Sequence, residues 1–164
     1  RSVELMVMSN EAERGAVGKP RLSNGTTLAG AWRGLQTASP PAHPRMVAGS
    51  AWHKNPIVTA FRQGLDRVPE LAPEAVRETA VNEPLINWRS LDGDVCLRAV
   101  RDSGGFAADA TDKGMVRVAR LLRDQQGLSV LPASTAGLIA LRALNQREPL
   151  THGPVVVILT GRNA

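Results

Sequence analysis

Short apolar runs alternate along this chain with longer segments of helical period. Val3-Glu4-Leu5-Met6-Val7-Met8 reads as a strand, and residues 9 to 21 are polar and interrupted by Gly and Pro, as a loop is. A helix is expected from about Leu28 to Gln36, then a Pro-rich connector from Thr37 to Pro44. Arg45 to Ser50 reads as a short strand, and Asn55-Pro56 opens a helix through Phe61, with Pro at the favoured first position. Residues 64 to 73 form a second Pro-rich connector, and Asn82 to Trp88 a loop with two apolar anchors. A helix from about Ser90 to Arg101 stops at Gly104-Gly105. The strand Phe106 to Ala110 follows, then a helix capped by Thr111 with Met115, Val118, Ala119 and Leu122 at helical spacing. After Gly127 come a strand, Leu128 to Leu131, and a helix opened by Pro132-Ala133-Ser134 with Ser134 as its cap. The last strand is Val155 to Leu159. Strands alternating with helices predict an α/β fold in three layers, α/β/α, around a mostly parallel sheet.

Two places in this pattern carry candidate chemistry. Ser23-Asn24-Gly25-Thr26-Thr27 is a small, amide-rich loop that leads directly into a helix. Its backbone N–H groups are little shielded, its hydroxyls and amide add donors, and the helix end behind it adds partial positive charge. That combination suits a phosphate. The same residues would equally make an ordinary turn and cap. No Gly-Lys-Ser/Thr follows, so it is not a P-loop, and the spaced glycines of a dinucleotide site are missing. The second place is Thr160-Gly161, which puts a hydroxyl at the carboxyl end of a buried strand, where open α/β sheets keep ligands. A strand end with a glycine turn would look the same.

Other groups narrow the field by what they lack. His43, His53 and His152 are far apart and have no metal-ligand spacing. Asp92-Gly93-Asp94 resembles part of a cation loop without its remaining ligand positions. No nucleophile elbow accompanies the Ser, His and Asp residues. The single cysteine, Cys96, sits in an apolar-periodic segment and reads as a buried, reduced thiol. With three Trp, two Phe and no Tyr, the chain has little with which to stack nucleic-acid bases. Its net charge of +5 is spread over scattered arginines and reads as a solvated face. The longest strongly apolar run is about six residues against the ~20 needed to cross a bilayer. No secretory signal is visible, so a cytoplasmic, soluble protein is expected, without nucleic-acid or membrane partners. The 164 residues fit one domain. Because the first residue is Arg1, a processed or partial chain is expected.

Taken in order, several stretches resemble the C-terminal portion of threonine synthase-like enzymes of the fold-type-II pyridoxal-phosphate (PLP) family. Ser23-Asn24-Gly25-Thr26-Thr27-Leu28-Ala29-Gly30 is similar to the family's PLP-phosphate loop. Pro44 to Ser50 with Asn55-Pro56-Ile57-Val58 resembles the strand and helix after it, and Asn82 to Trp88 resembles its Asn-Pro…Trp loop. Asp102-Ser103-Gly104-Gly105 resembles a Ser-Gly-Gly helix end, Leu131 to Ala136 a Glu-Pro-Ala-Ser-Ala-Ala helix start, and Val155 to Gly161 a closing Val-Leu-Thr-Gly strand. The likeness runs from about residue 22 to 161. On it, residues 1–21 are a remnant strand and loop, and residues 22–164 the C-terminal part of the PLP-binding α/β domain.

The resemblance implies that Ser23, Asn24, Gly25, Thr26 and Thr27 hold the PLP phosphate and that Thr160 offers its hydroxyl to the pyridine nitrogen. It implies a small amino-acid substrate, with O-phosphohomoserine converted to threonine and phosphate by the intact enzyme, and a homodimer as the common assembly. Another fold-type-II lyase or dehydratase, or a non-catalytic anion-binding module, are the alternative readings. Two departures stand out. Leu131 replaces the usual Glu, and nothing here matches the family's Schiff-base lysine segment. The only lysines are Lys19, Lys54 and Lys113, in loop or cap contexts, so no catalytic residue is assigned within this chain.

Overall fold

The structure is a computed structural model that describes residues 5–9, 25–38, 43–150 and 154–161. Ser23, Asn24, His152 and Lys19 lie outside the described residues. Four strands, β1 (Leu5–Ser9), β2 (Arg45–Ala51), β3 (Phe106–Ala110) and β4 (Val155–Ile158), form one sheet. Its order is β3-β2-β1-β4, and every pairing is parallel: Leu5 opposite Arg45 and Val155, Val47 opposite Phe106. The helices are α1 (Thr26–Thr37), α2 (Pro56–Gln63), α3 (Gly93–Asp102), α4 (Asp112–Gln126) and α5 (Ala136–Arg147).

Along β2, β3 and β4 the side chains alternate between two helical layers. On one face Met46, Ala48, Ala107 and Ile158 meet Leu28 and Trp32 of α1, Ile57 and Val58 of α2, and Cys96 and Val100 of α3. On the other, Val47, Phe106 and Val157 meet Ala140 and Leu144 of α5. A third cluster of Ala51, Leu85, Ala110, Met115 and Ala136 closes the carboxyl end of that second face and brings in α4. The expected three layers and parallel sheet are therefore present.

Local chemistry sets the helix ends. The Asn55 side chain accepts from the Ile57 and Val58 N–H groups, with Pro56 beside it. Thr111 accepts from Gly114 N–H at 3.1 Å. Gly127 ends α4 in the left-handed region at φ +67°, where a side chain would be strained.

Two expectations are corrected. Leu128 to Leu131 is not a strand. It makes one extended contact, Leu131 N–H to the Gly161 carbonyl at 3.1 Å, before Pro132 starts a 3-10 turn (Pro132–Thr135). Leu128 is left exposed, and Pro132 has no N–H to continue a ladder. Ser134 does not cap the following helix either. Thr135 precedes α5, and no side chain caps there. The Ser134 hydroxyl is engaged with Gly161 instead.

The tightest approach in the molecule is between β2 and the start of α5. A Cβ on Gly49 would lie 2.1 Å from the Ala136 carbonyl oxygen, and the obstacle is backbone that has nowhere to move. Gly49→Ala is expected to destabilise the protein by about 3 kcal/mol or more. Gly30, on the exposed side of α1, has nothing within 4 Å, so Gly30→Ala should stabilise by roughly 0.5–1 kcal/mol. Thermal unfolding of the two variants should move in opposite directions. Cys96 supplies a pH test. Burial, with the Asp92 charge second, pushes its thiol from 9.0 up to about 12. A folded-state pKa above the unfolded one means stability is fully present below pH 9 and lost as pH rises toward 12. Over that window the loss is up to about 1.4 kcal/mol per pH unit. Denaturant titrations across it should show the loss, and Cys96→Ala should remove it.

Candidate functional site

In a parallel sheet all carboxyl ends lie along one edge, and the winding of this sheet singles out one point on it. The chain passes from β1 to β2 to β3 with α1, α2 and α3 on one face. It then returns past β2 and β1 to β4 with α4 and α5 on the other. Right-handed crossovers require that change of face when the direction reverses. The carboxyl ends of the neighbouring strands β1 and β4 are thus the topological switch point, the usual crevice for ligands in such sheets.

Both sequence-derived candidates lie at this edge. Since α1 runs back to the amino end of β2, its own amino end stands on the carboxyl side of the sheet. Gly25 precedes it at φ +76°, and its carbonyl accepts the Ala29 N–H at 3.0 Å. The N–H groups of Thr26, Thr27 and Leu28 belong to the first turn and have no partner four residues back. Gly25 has no side chain with which to cap them, and no acidic residue occurs in the first turn. Thr26 and Thr27 are exposed. An open helix start with adjacent hydroxyls fits an anionic group such as a phosphate.

The turn is pinned from behind. A Cβ at Gly25 would lie 2.5 Å from Cys96 Cβ, 2.8 Å from its Sγ and 2.8 Å from Ile57 Cδ1. Only glycine meets both requirements here, the left-handed backbone and contact with α3 and α2. The Thr26 hydroxyl donates to the Asp92 carboxylate at the start of α3, so the amino ends of α1 and α3 are tied to each other.

Thr160 follows β4 two residues beyond Ile158, whose side chain belongs to the α1 face. The segment after it is held firmly. Gly161 N–H donates to Ser134 Oγ at 2.8 Å, and the Gly161 carbonyl accepts from Leu131 N–H. A Cβ on Gly161 would lie 2.7 Å from Leu131 Cδ1. The 3-10 turn before α5 thereby fixes the exit of β4. A second wall comes from the loop around Leu85. The Leu85 carbonyl takes hydrogen bonds from Ser50 Oγ at 3.0 Å and Asn55 Nδ2 at 3.3 Å, and Asn87 N–H reaches the Lys54 carbonyl at 2.9 Å.

Sequence reasoning missed Asp92 as a partner of Thr26 and Ser134 as a partner of Gly161. Nothing local signals contacts between residues so far apart. Lys54 donates to the Arg77 carbonyl at 2.6 Å, and Lys113 is exposed on α4, in the opposite layer from α1. Among the described residues no group of His, Cys, Asp and Glu could hold a metal ion. A cavity of about 770 Å³ opens elsewhere, along β3 at the far edge of the sheet. Arg62 and Asp109 pair there, and burial of the Asp109 carboxyl outweighs Arg62 and raises its pKa. Two strands separate that cavity from the switch point, and none of the phosphate-turn residues lines it. The chemistry of the open α1 end therefore outranks the larger volume as the candidate site. No described helix is long and apolar enough to cross a membrane.

Comparison with known proteins bears on this geometry. Residues 21–161 match the family described as "Pyridoxal-phosphate dependent enzyme". The chain is similar to threonine synthase from Methanocaldococcus jannaschii, with 27% identity over 145 residues, 85% of this chain and 34% of that protein. It is also similar to threonine synthase from Methanosarcina acetivorans, with 31% identity over 117 residues, 71% of this chain and 28% of that protein. It thus spans about a third of the length of these relatives. In fold it is similar to serine racemase from Dictyostelium discoideum, with a TM-score of 0.66 at 11% identity, covering 100% of this chain and 45% of that one. Maize serine racemase gives a TM-score of 0.64 at 14% identity, covering 99% of this chain and 44% of that one. A bacterial-type threonine deaminase, from T.th., gives a TM-score of 0.58 at 17% identity, covering 99% of this chain and 50% of that one. The fold is that of fold-type-II enzymes, and the chain belongs to the pyridoxal-phosphate dependent enzyme family.

Proposed function

We propose that this chain is the cofactor-anchoring C-terminal part of a PLP-dependent lyase of threonine synthase type. The intact enzyme would convert O-phosphohomoserine and water to threonine and phosphate in cytoplasmic amino-acid biosynthesis, acting as a homodimer. The observation that carries the reading is the uncapped start of α1 at the switch point, with Thr160 at the end of the adjoining edge strand. The two curated relatives, both threonine synthases, favour this reaction over the racemase and deaminase that share only the fold.

Each residue has a definite task in this proposal. Gly25, Thr26 and Thr27, with Ser23 and Asn24 before them, hold the cofactor phosphate through main-chain N–H groups and short side chains. The α1 dipole favours the dianion there. Thr160 offers a neutral hydroxyl to the pyridine nitrogen. A hydroxyl cannot supply the charge that an Asp partner would, so the nitrogen stays largely unprotonated. PLP, when bound, supplies the electron sink, which in this weakened form suits replacement and elimination at the β and γ carbons. Gly161, clamped by Ser134 and Leu131, keeps the end of β4 in place.

No lysine of this chain stands in a family-matching position, and Lys54 is tied to a backbone carbonyl away from α1. The chain by itself is therefore expected to be inactive and to form no stoichiometric covalent adduct with PLP. Absorbance titration, borohydride reduction and mass spectrometry check this. A one-to-one adduct at a single lysine would overturn the division of labour. Co-expression with a polypeptide carrying the family's lysine segment should restore both the adduct and phosphate release from O-phosphohomoserine. If the adduct is restored while a different amino acid is the one consumed, the alternative lyase or dehydratase is the correct reaction.

A further inference from the structure

We propose that the Asp92 carboxylate is a built-in competitor for the phosphate group at the start of α1, so that this turn holds phosphate more weakly than it would without the acid. The proposal rests on the phosphate reading of the Gly25–Thr27 turn given above. Asp92 precedes α3, yet its side chain makes no capping bond to that helix. It reaches across to α1 and accepts the Thr26 hydroxyl proton. A hydroxyl has one proton to give. With that proton committed to Asp92, Thr26 turns only lone pairs toward an arriving anion, and its donor is lost to the site.

The charge matters as much as the lost donor. A carboxylate one hydrogen bond from Thr26 lies close to the partial positive charge that would attract a phosphate, and it satisfies part of that charge before any ligand arrives. Among the described residues no arginine or lysine pairs with Asp92 to neutralise it. Its negative charge is felt inward, where it adds to burial in raising the Cys96 thiol beneath Gly25. By contrast Asp94, two residues on, is engaged away from the turn and accepts the Val68 N–H at 2.7 Å. The arrangement amounts to an internal anion seated where a ligand's anion is wanted.

The test compares pyridoxine 5′-phosphate with pyridoxine, which differ by the phosphate and lack the aldehyde that would label lysines indiscriminately. Binding to the 164-residue chain is followed by calorimetry, with inorganic phosphate as a third probe. Asp92→Asn keeps the shape and removes the charge, and Asp92→Ser is a second replacement in case the first does not fold. Affinity for pyridoxine phosphate and for inorganic phosphate should rise roughly five- to thirty-fold, as loss of a repulsive charge a few ångströms away allows. Affinity for pyridoxine should not change. If the folded variants bind phosphate equally or less tightly, Asp92 is only a prop for the turn, and the proposal is overturned while the site reading survives. If wild type and variants alike bind pyridoxine phosphate no better than pyridoxine, the phosphate reading itself fails and takes the proposal with it.

Discussion

Parallel strands cannot be joined by tight turns, so every connection must cross a face of the sheet, and it crosses right-handed. That single constraint organises this molecule. Moving from β1 to β2 to β3 lays α1, α2 and α3 on one face, and the return to β4 lays α4 and α5 on the other. The crevice between the ends of β1 and β4 is a by-product of the reversal. Gly25 and Thr160 matter because the winding delivers them there, one at the start of a helix and one at the end of a strand.

The close contacts then convert a location into a geometry. Gly25 is pressed on Cys96 and Ile57, Gly49 on Ala136, and Gly161 on Leu131 and Ser134. Each glycine lets backbone or side chain approach within a distance that a Cβ would forbid. Two of the three flank the switch point, and the third seats the helix whose leading turn holds β4. The cofactor turn inherits its rigidity from the layer behind it and not from the loop that carries it.

Much of this was legible in the chain. Alternating apolar runs such as Met46-Val47-Ala48 and Phe106 to Ala110 marked strands buried on both faces, and Asn55-Pro56 and Thr111 marked helix starts by local chemistry. The Ser-Asn-Gly-Thr-Thr and Val-Leu-Thr-Gly families of residues pointed to both ends of a cofactor. What escaped was long-range. Leu128 to Leu131 has strand composition, but only one partner group, Gly161, is within reach, so a ladder never forms. Ser134 has the composition of a cap and is used as a clamp. The Thr26–Asp92 bond joins residues that no periodicity relates. Hydrophobic pattern determines layers, whereas polar partners are chosen by packing, and packing is not written in any one segment.

The pairing of β1 with β4 has a kinetic consequence. Leu5 lies opposite Val155, with nearly the whole chain between them, while β1 and β2 and their crossover close much shorter loops. Contacts of long sequence separation form late, because chain entropy must be surrendered before they reward it. The ligand crevice lies on that last seam. A nascent or partly opened molecule would already have its glycine contacts under α1 and its β2–α5 core, yet still lack a place for the cofactor ring. Anything that binds both sides of the seam would therefore act as a latch on the folded state, slowing its opening as well as occupying it.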